Sequence, residues 1–255
     1  MALTIGVLVL DCLIISLVVL QQKSDAQQVQ KLQKPGFIRK CRFDKIYQLG
    51  DSLSDTGNCI RESICGAHSS CRRLPYGINV FQKATGRCSD GMLIIDFIAV
   101  ESGLPLLNPY KDRNAEFSHG ANFAVAGATA LSAEFLAEKK ISTSFTNSSL
   151  SVQLDWMSSH FKSTCSTDCR EKLNKSLFLV GEIGGNEFNY GLSQGKTMKE
   201  LRRMVPDVVH TIIHGVRRVI GFGATRIVVP GNFPIGCHPI TLTQFIANDS
   251  TAYDE

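Results

Sequence analysis

Short apolar runs alternate along this chain with longer segments whose apolar residues recur at helical spacing. The short runs are four to seven residues long and lead into glycine or proline. Compact apolar runs with such boundaries are typical of buried strands. We therefore predict strands at Phe43–Leu49, Ala121–Ala126, Leu177–Val180 and Arg226–Val229, and we expect the last two to be buried.

Two segments predict helices. Asp90–Gly103 has apolar residues at helical spacing and stops before Pro105. Met198–Ile220 is longer, and Pro206 inside it predicts either a kink or a later start. Residues 139–151 are rich in Ser and Thr, lack periodicity and are predicted to form a surface loop. The longer helix should present one apolar face, formed by Val205, Val208, Val209, Ile212, Ile213, Val216, Val219 and Ile220.

Strands that alternate with helices predict a parallel sheet covered on both faces. A chain of 255 residues with 44% apolar content is long enough for one such α/β domain. In these folds ligands bind beyond the carboxyl ends of the strands. The residues that follow each predicted strand are therefore the first candidates for a functional site.

The N-terminal segment predicts export. Residues 3–20 are almost wholly apolar, and the small residues that end at Ala26 fit a signal-peptidase site. We expect residues 1–26 to be removed and residues 27–40 to form a flexible polar lead-in. An uncleaved membrane anchor is the alternative, but Asp11 would be costly in hydrocarbon. No stable membrane span is expected after cleavage.

The cysteines agree with a secreted, extracellular protein. Nine are present, and Cys12 would leave with the signal peptide. Eight remaining cysteines in a chain of this length suggest an oxidising compartment. Those eight are Cys41, Cys59, Cys65, Cys71, Cys88, Cys165, Cys169 and Cys237. Three glycosylation sequons, at Asn147, Asn174 and Asn248, also indicate a secreted protein.

Charge argues against one large class of partner. The formal net charge is +4, and the basic residues occur as scattered pairs rather than as a long run. A nucleic-acid-binding protein is expected to concentrate basic residues on one stripe or patch. We therefore expect no nucleic-acid partner, and no feature of the sequence implies a protein partner.

The ends of three predicted strands carry the candidate chemistry. Ser52 lies two residues after Gly50, which lets the backbone turn sharply and present the hydroxyl as a nucleophile. Gly127 follows the second strand, and Asn186 follows two glycines beyond the third. The N–H groups of Ser52 and Gly127, with the side-chain amide of Asn186, could together form an oxyanion hole.

These motifs resemble those of plant GDSL esterase/lipases of the SGNH hydrolase superfamily. The resemblance rests on four segments in the family's order: Gly50–Asn58, Asn122–Gly127, Gly184–Glu187 and Val229–Cys237. It implies a flavodoxin-like, three-layer α/β/α sandwich with a mainly parallel sheet over residues 41–255. Its nucleophile would be Ser52, with Gly127 and Asn186 as oxyanion donors, and Asp51, Asp55 and Asn58 would shape the nucleophile turn. Glu187 stands where many relatives have Asp.

In the same family the catalytic Asp and His lie in a late Asp-x-x-His motif, which the sequence does not reach before Glu255. We therefore expect a partial domain, incomplete at the C-terminus. The predicted function is hydrolysis of carboxylic esters, on a small-molecule or lipid substrate. The alternative is a truncated, catalytically inactive secreted glycoprotein that keeps an ester-binding cleft.

Other candidate sites are weaker. Asp207 and His210 have the spacing of an acid–base pair, but we interpret them as part of a solvated helix surface. His210 and His214 lack the glutamate of a zinc-protease motif, so no metal site is expected. Cys165 and Cys169 are predicted to form a local disulfide. No dinucleotide fingerprint is present, and no cofactor is expected. The remaining histidines are interpreted as surface or packing residues: His68, His119, His160 and His238.

Overall fold

The computed structural model describes residue 38, residues 41–165 and residues 169–244. The predicted signal peptide, most of the lead-in and the sequon at Asn248 lie outside the described residues. In chain order the elements are β1 (Lys45–Leu49), α1 (Ser63–His68), α2 (Ile94–Ser102), β2 (Gly120–Asn122), α3 (Ala133–Glu138), α4 (Leu150–Thr164), α5 (Cys169–Leu173), β3 (Ser176–Val180), α6 (Asn186–Ser193), α7 (Met198–Phe222), β4 (Arg226–Val228) and α8 (Pro239–Gln244). Short 3₁₀ turns lie at Cys59–Arg61, Ser70–Arg72 and Ile235–Cys237.

The four strands form one parallel sheet in the order β2-β1-β3-β4. In the central ladder, Tyr47 of β1 is opposite Phe178 of β3, and on the other side it is opposite Ala121 of β2. β1 and β3 are therefore the interior strands. Their carboxyl ends lie side by side, which brings the segments after Leu49 and Val180 together.

Alternating side chains of the interior strands face two separate cores. Tyr47 and Phe178 belong to a large apolar cluster with residues of α4 and α7. Ile46 and Leu179, each adjacent in sequence to one of these residues, pack with α2 in a second cluster. Helices thus cover both faces, and the expected α/β/α fold is confirmed.

β3 keeps its predicted position closely and begins one residue before the predicted run, at Ser176. α2 ends as predicted, where Gly103 adopts a left-handed conformation with φ 74°, but it begins at Ile94 rather than at Asp90. α7 begins at Met198 because Thr197 and Glu200 form a capping box. The later start that Pro206 suggested is therefore wrong, since this proline lies inside the helix.

The single apolar face predicted for α7 divides into two. Val208 and Val219 are buried in the large core. Val209 and Ile213, which lie to one side of them, are 47% and 42% exposed. The apolar residues span a wider arc of the helix than the sheet and α4 cover, so part of that arc meets solvent in the described structure.

The strand predicted at Ala121–Ala126 is shorter than expected. β2 ends at Asn122, although the whole predicted segment is buried. Beyond that point the backbone still bonds to the β1 segment, since the Phe123 N–H donates to the Gln48 carbonyl at 2.7 Å and the Val125 N–H to the Gly50 carbonyl at 3.1 Å. The Asn122 and Ala124 carbonyls accept the side-chain amide of Asn58 instead of a strand, both at 2.8 Å.

The prediction of a buried strand at Arg226–Val229 is wrong in its burial. β4 spans Arg226–Val228, and only Ile227 at its centre is partly covered. Among the described strands β4 pairs with β3 alone and forms an edge of the sheet. An apolar run cannot reveal by itself whether a second neighbour covers it.

One long helix was absent from the predictions. α4 begins at Leu150, inside the segment predicted to be a loop, and runs to Thr164. Ser, Thr and His interrupt its apolar residues, which weakens the helical signal in the sequence. It nevertheless carries Gln153 and His160 into the core.

Three disulfides lie in the described structure: Cys59–Cys65, Cys71–Cys88 and the predicted Cys165–Cys169. Cys41 and Cys237 are exposed, and neither is paired with another cysteine of the described ranges. No helix within the described ranges is both long and apolar enough to span a bilayer.

Candidate active site

The turn after β1 holds Ser52 through its neighbours. The Asp51 N–H donates to the Glu182 carbonyl at 3.0 Å, and the Asp51 carboxylate accepts the Leu53 N–H at 3.0 Å. Gly50 is required before this turn, since a Cβ there would lie 2.5 Å from Ser54 Oγ. Ser52 itself is half-buried, and its hydroxyl has no hydrogen bond to another described residue. The serine is fixed in place with its hydroxyl unengaged.

Asp55 is the internal anchor of this turn. One carboxylate oxygen accepts the N–H groups of Gly57 (2.7 Å) and Asn58 (2.6 Å). The other accepts those of Cys59 (3.0 Å) and Ala126 (2.9 Å). Burial raises the pKa of Asp55 to about 6, while the four N–H donors oppose that rise. A single carboxylate thus joins the turn around Ser52 to the segment that precedes Gly127.

Asn58 and Asn122 complete this connection. Asn58 uses its amide on two carbonyls of the 122–124 segment, and its oxygen accepts the Lys111 N–H at 2.9 Å. Asn122 Nδ2 donates to the Ser54 carbonyl at 2.6 Å. Both side chains are fully buried, and each replaces backbone pairing that the turn cannot make. The predicted shaping role of Asp51, Asp55 and Asn58 agrees with these contacts.

Gly127 lies in the loop that Asp55 and Asn58 secure. Its φ of 83° lies in the left-handed region, and a Cβ there would be 2.8 Å from the Tyr190 hydroxyl and 2.9 Å from Phe145 Cβ. Both the backbone conformation and the space therefore favour glycine. Its N–H makes no hydrogen bond to another described backbone group and remains available as a donor.

Asn186, the first residue of α6, ties the third segment to the other two. Its Nδ2 donates to the Ala128 carbonyl at 2.8 Å and lies 3.5 Å from Asp51 Oδ2. From the same helix, the Tyr190 hydroxyl donates to the Gly127 carbonyl at 2.8 Å. The structure thus brings the surroundings of Ser52, Gly127 and Asn186 together at one edge of the sheet. One N–H of Asn186 is engaged, and the other makes only a long contact.

Buried carboxyl groups line the site. Burial raises the pKa of Asp51 to about 7, and the nearby charges of Glu182, Glu187 and Asp55 add to that rise. Burial likewise raises the pKa of Glu187 to about 7 and, in direction, that of Glu182. One oxygen of Glu187 accepts the Leu131 N–H at 2.9 Å, and the other is buried with no hydrogen-bond partner among the residues that the structure describes. Burial therefore favours the protonated form of these carboxyl groups.

None of the histidines in the described ranges forms a hydrogen bond with Ser52. His160 packs among Tyr47, Phe117 and other rings, and burial lowers its pKa to about 4. His210 is exposed on α7, as predicted, whereas Asp207 is half-buried. His238 is near enough to Glu182 to lower the pKa of that carboxyl. Within the described residues no group of His, Cys, Asp and Glu could hold a metal ion.

Sequence reasoning missed Gln153, which contacts the residue two positions before Ser52. It lies on the helix that was not predicted, and its amide bonds both backbone polar groups of Gly50. A glutamine interrupting an apolar helix face was the signal that could have found it.

The described residues define a three-layer α/β protein with a free serine hydroxyl at the carboxyl end of an interior strand. Comparison with known proteins gives its lineage: the family described as GDSL-like Lipase/Acylhydrolase matches residues 46–255. Acetylajmalan esterase of Rauvolfia serpentina is 49% identical over 199 residues, which are 77% of this chain and 51% of the esterase. A GDSL esterase/lipase of Arabidopsis thaliana is 44% identical over 221 residues, which are 84% of this chain and 59% of the relative.

This chain belongs to the GDSL-like lipase/acylhydrolase family. It spans 51% of the length of the first of these relatives and 59% of the second.

Proposed function

We propose that this protein hydrolyses carboxylic esters with Ser52 as its nucleophile. The observation that carries the proposal is the free hydroxyl of Ser52 at a strand end that also receives Gly127 and Asn186. The family membership and the two relatives named esterase or esterase/lipase support the same reaction. They favour hydrolysis over the alternative of an inactive ester-binding glycoprotein.

The proposed reaction has two steps. Ser52 Oγ attacks the ester carbonyl carbon while its proton passes to a base, and the oxyanion accepts hydrogen bonds from the Ser52 N–H, the Gly127 N–H and Asn186 Nδ2. Collapse of this intermediate releases the alcohol, which takes up the proton, and leaves an acyl group on Ser52. Water then attacks the acyl group, and the carboxylic acid leaves.

The base is the part that the described residues do not supply, since none of their histidines bonds to Ser52. We assign it to the Asp-x-x-His motif that the family resemblance implies. The domain, proposed to begin at residue 41, would then be catalytically complete only with that motif. Without a base, a triad enzyme keeps only the residual catalysis of its oxyanion hole and substrate binding.

We propose that the protein is secreted and glycosylated. The three disulfides require an oxidising environment. The sequon residues Asn147 and Asn174 are both exposed, as an acceptor must be. Removal of residues 1–26 is part of this proposal.

The proposed substrate is a small-molecule or lipid ester. An acetyl ester is the first to test, because one relative is named for acetylajmalan. Fold alone does not select among esters.

A serine-directed fluorophosphonate probe tests the proposal on the protein secreted from its full reading frame, because the proposed base lies in the Asp-x-x-His motif. We expect the probe to label Ser52, located by mass spectrometry, and the Ser52→Ala variant to remain unlabelled. Asn186→Ala should slow labelling about 100- to 1000-fold if this amide stabilises the oxyanion. Equal labelling of wild type and Ser52→Ala would overturn the assignment of the nucleophile.

The transcript beyond the codon of Glu255 provides a second test. We expect the reading frame to continue into an Asp-x-x-His motif. A stop codon at that position in independent clones would instead support the inactive alternative for this chain.

A further inference from the structure

The side chain of Gln153 on α4 forms two hydrogen bonds with the backbone of Gly50, as a residue of a neighbouring strand would. Its Oε1 accepts the Gly50 N–H at 2.9 Å, and its Nε2 donates to the Gly50 carbonyl at 2.8 Å. The second Nε2 hydrogen is directed to the Ser148 carbonyl at 3.1 Å. Gln153 is fully buried, so all of these bonds form away from water.

The Gly50 carbonyl has a second partner that extends this contact across the site. It accepts the Val125 N–H at 3.1 Å, two residues before Gly127. Gly50 is also two residues before Ser52. The nucleophile turn, the loop that carries Gly127 and α4 therefore meet at the backbone of a single residue, Gly50.

We propose that Gln153 is a positioning residue that sets the geometry of Ser52 and Gly127 relative to each other. The kinetic part of this proposal rests on the proposed role of Ser52; the structural part does not. Gln153 acts through the Gly50 peptide group and does not touch the substrate.

The chemistry of the contact requires an amide. The buried Gly50 N–H needs an acceptor, and the buried Gly50 and Ser148 carbonyls receive a donor from the same side chain. Leaving one such group unsatisfied costs about 1–3 kcal/mol. An ionised glutamate would keep the acceptor but direct a carboxylate oxygen at two carbonyls, and it would therefore repel the turn.

The chain contains a matched control at Gln194. Its Oε1 accepts the Ser142 N–H at 2.8 Å, and its Nε2 donates to the Ser142 carbonyl at 3.0 Å. This is the same two-bond pairing, on an exposed loop. Gln194→Glu therefore introduces the same chemical change outside the nucleophile turn.

The experiment compares wild type, Gln153→Glu and Gln194→Glu by the rate of fluorophosphonate labelling between pH 5 and 8. At pH 8 we expect Gln153→Glu to label about 100-fold more slowly than wild type, because a displacement of about 1 Å can cost that much. Burial raises the pKa of a carboxyl group, and the protonated form can donate to the Gly50 carbonyl again. The labelling rate relative to wild type should therefore recover as the pH falls, whereas the rate of Gln194→Glu should follow wild type throughout.

Hydrogen–deuterium exchange provides a readout that does not depend on Ser52 reactivity. At pH 8 we expect faster exchange in Gln153→Glu within residues 50–58 and 123–128, while β3 remains protected. If wild type does not label, the proposed function fails for this chain and exchange alone decides the positioning role. Labelling and exchange equal to wild type, or exchange that rises uniformly over the sheet, would overturn the proposal.

Discussion

Two segments of this chain carry family motifs of similar length, Gly50–Asn58 and Val229–Cys237, and they have different structural surroundings. In the first, only Ser52 and Leu53 are not fully buried, and the polar groups of Asp55 and Asn58 are bonded by three parts of the chain. In the second, all residues from 228 to 234 are exposed. Its Phe233 N–H donates to Glu182 Oε1 at 2.7 Å, which links it to the turn after β3.

The difference lies in the hydrogen-bonding groups that each motif contains. The first motif contains acceptors and donors that match backbone groups of the 122–126 segment, so its geometry is determined by long-range hydrogen bonds. The second contains mainly Gly, Pro and apolar residues, which supply few such bonds. Among the described residues, the two motifs therefore differ in the number of long-range hydrogen bonds that they make, although both are clear in the sequence.

The largest expected effect comes from removing the anchor of the buried motif. Asp55→Ala should leave four backbone N–H groups without their acceptor and lower the free energy of unfolding by about 3–5 kcal/mol. Urea unfolding followed by circular dichroism measures this change. A loss below about 1 kcal/mol would contradict the anchoring role. Asp55→Asn, which keeps one carbonyl oxygen, should lose less.

A change of pH is expected to have a smaller effect on the free energy of unfolding. The pKa values of Asp51 and Glu187 are raised to about 7 and that of Asp55 to about 6, from 3.8, 4.5 and 3.8 respectively. Between about pH 4 and pH 7 the folded state therefore binds more protons than the unfolded state, and its stability should fall as the pH rises. Each extra proton contributes a slope of about 1.4 kcal/mol per pH unit.

Thermal unfolding across this pH range measures the slope. Glu187→Gln should make it shallower, because one of the titrating groups is gone, whereas the exposed Glu138→Gln should leave it unchanged. A slope of the opposite sign would show that other groups dominate the pH dependence.

The next effect on stability concerns the link between the exposed motif and the turn after β3. Glu182→Ala removes the acceptor of the Phe233 N–H and should cost about 1 kcal/mol. The amide of Phe233 should then exchange with solvent faster, as measured by hydrogen–deuterium exchange. Glu182→Gln keeps an acceptor oxygen and should retain more of the protection. Unchanged exchange in Glu182→Ala would mean that this link does not order the exposed motif.

The smallest effect is expected within the exposed motif. Phe233 is 46% exposed, so Phe233→Ala should change the free energy of unfolding by less than about 0.5 kcal/mol. Denaturant titration measures it, with the fully buried Phe123→Ala as the contrasting variant, which should cost about 3–5 kcal/mol. If both variants lost a similar free energy of unfolding, the exposed and the buried regions would not differ in their contribution to stability.

The sequence predicted the sheet well because the interior strands are short apolar runs with clear ends. It also predicted which residues gather at the carboxyl edge, since parallel strands bring their ends together. It could not predict the exposure of β4 or the division of the α7 face, because burial depends on which elements lie opposite. Gln153 was missed because its role depends on a contact across 103 residues of chain.

The central position of β1 has a consequence for biosynthesis. β1 is the first of the described strands to be made, yet its Gln48 side chain bonds to Gly181, which follows 133 residues later. At about 5–20 residues per second, the ribosome needs on the order of 10 s to supply that partner. During that interval the strand that leads to Ser52 is a newly made apolar segment without its β3 neighbour. The yield of folded protein should therefore depend strongly on how well β1 is protected from aggregation until β3 has been translated.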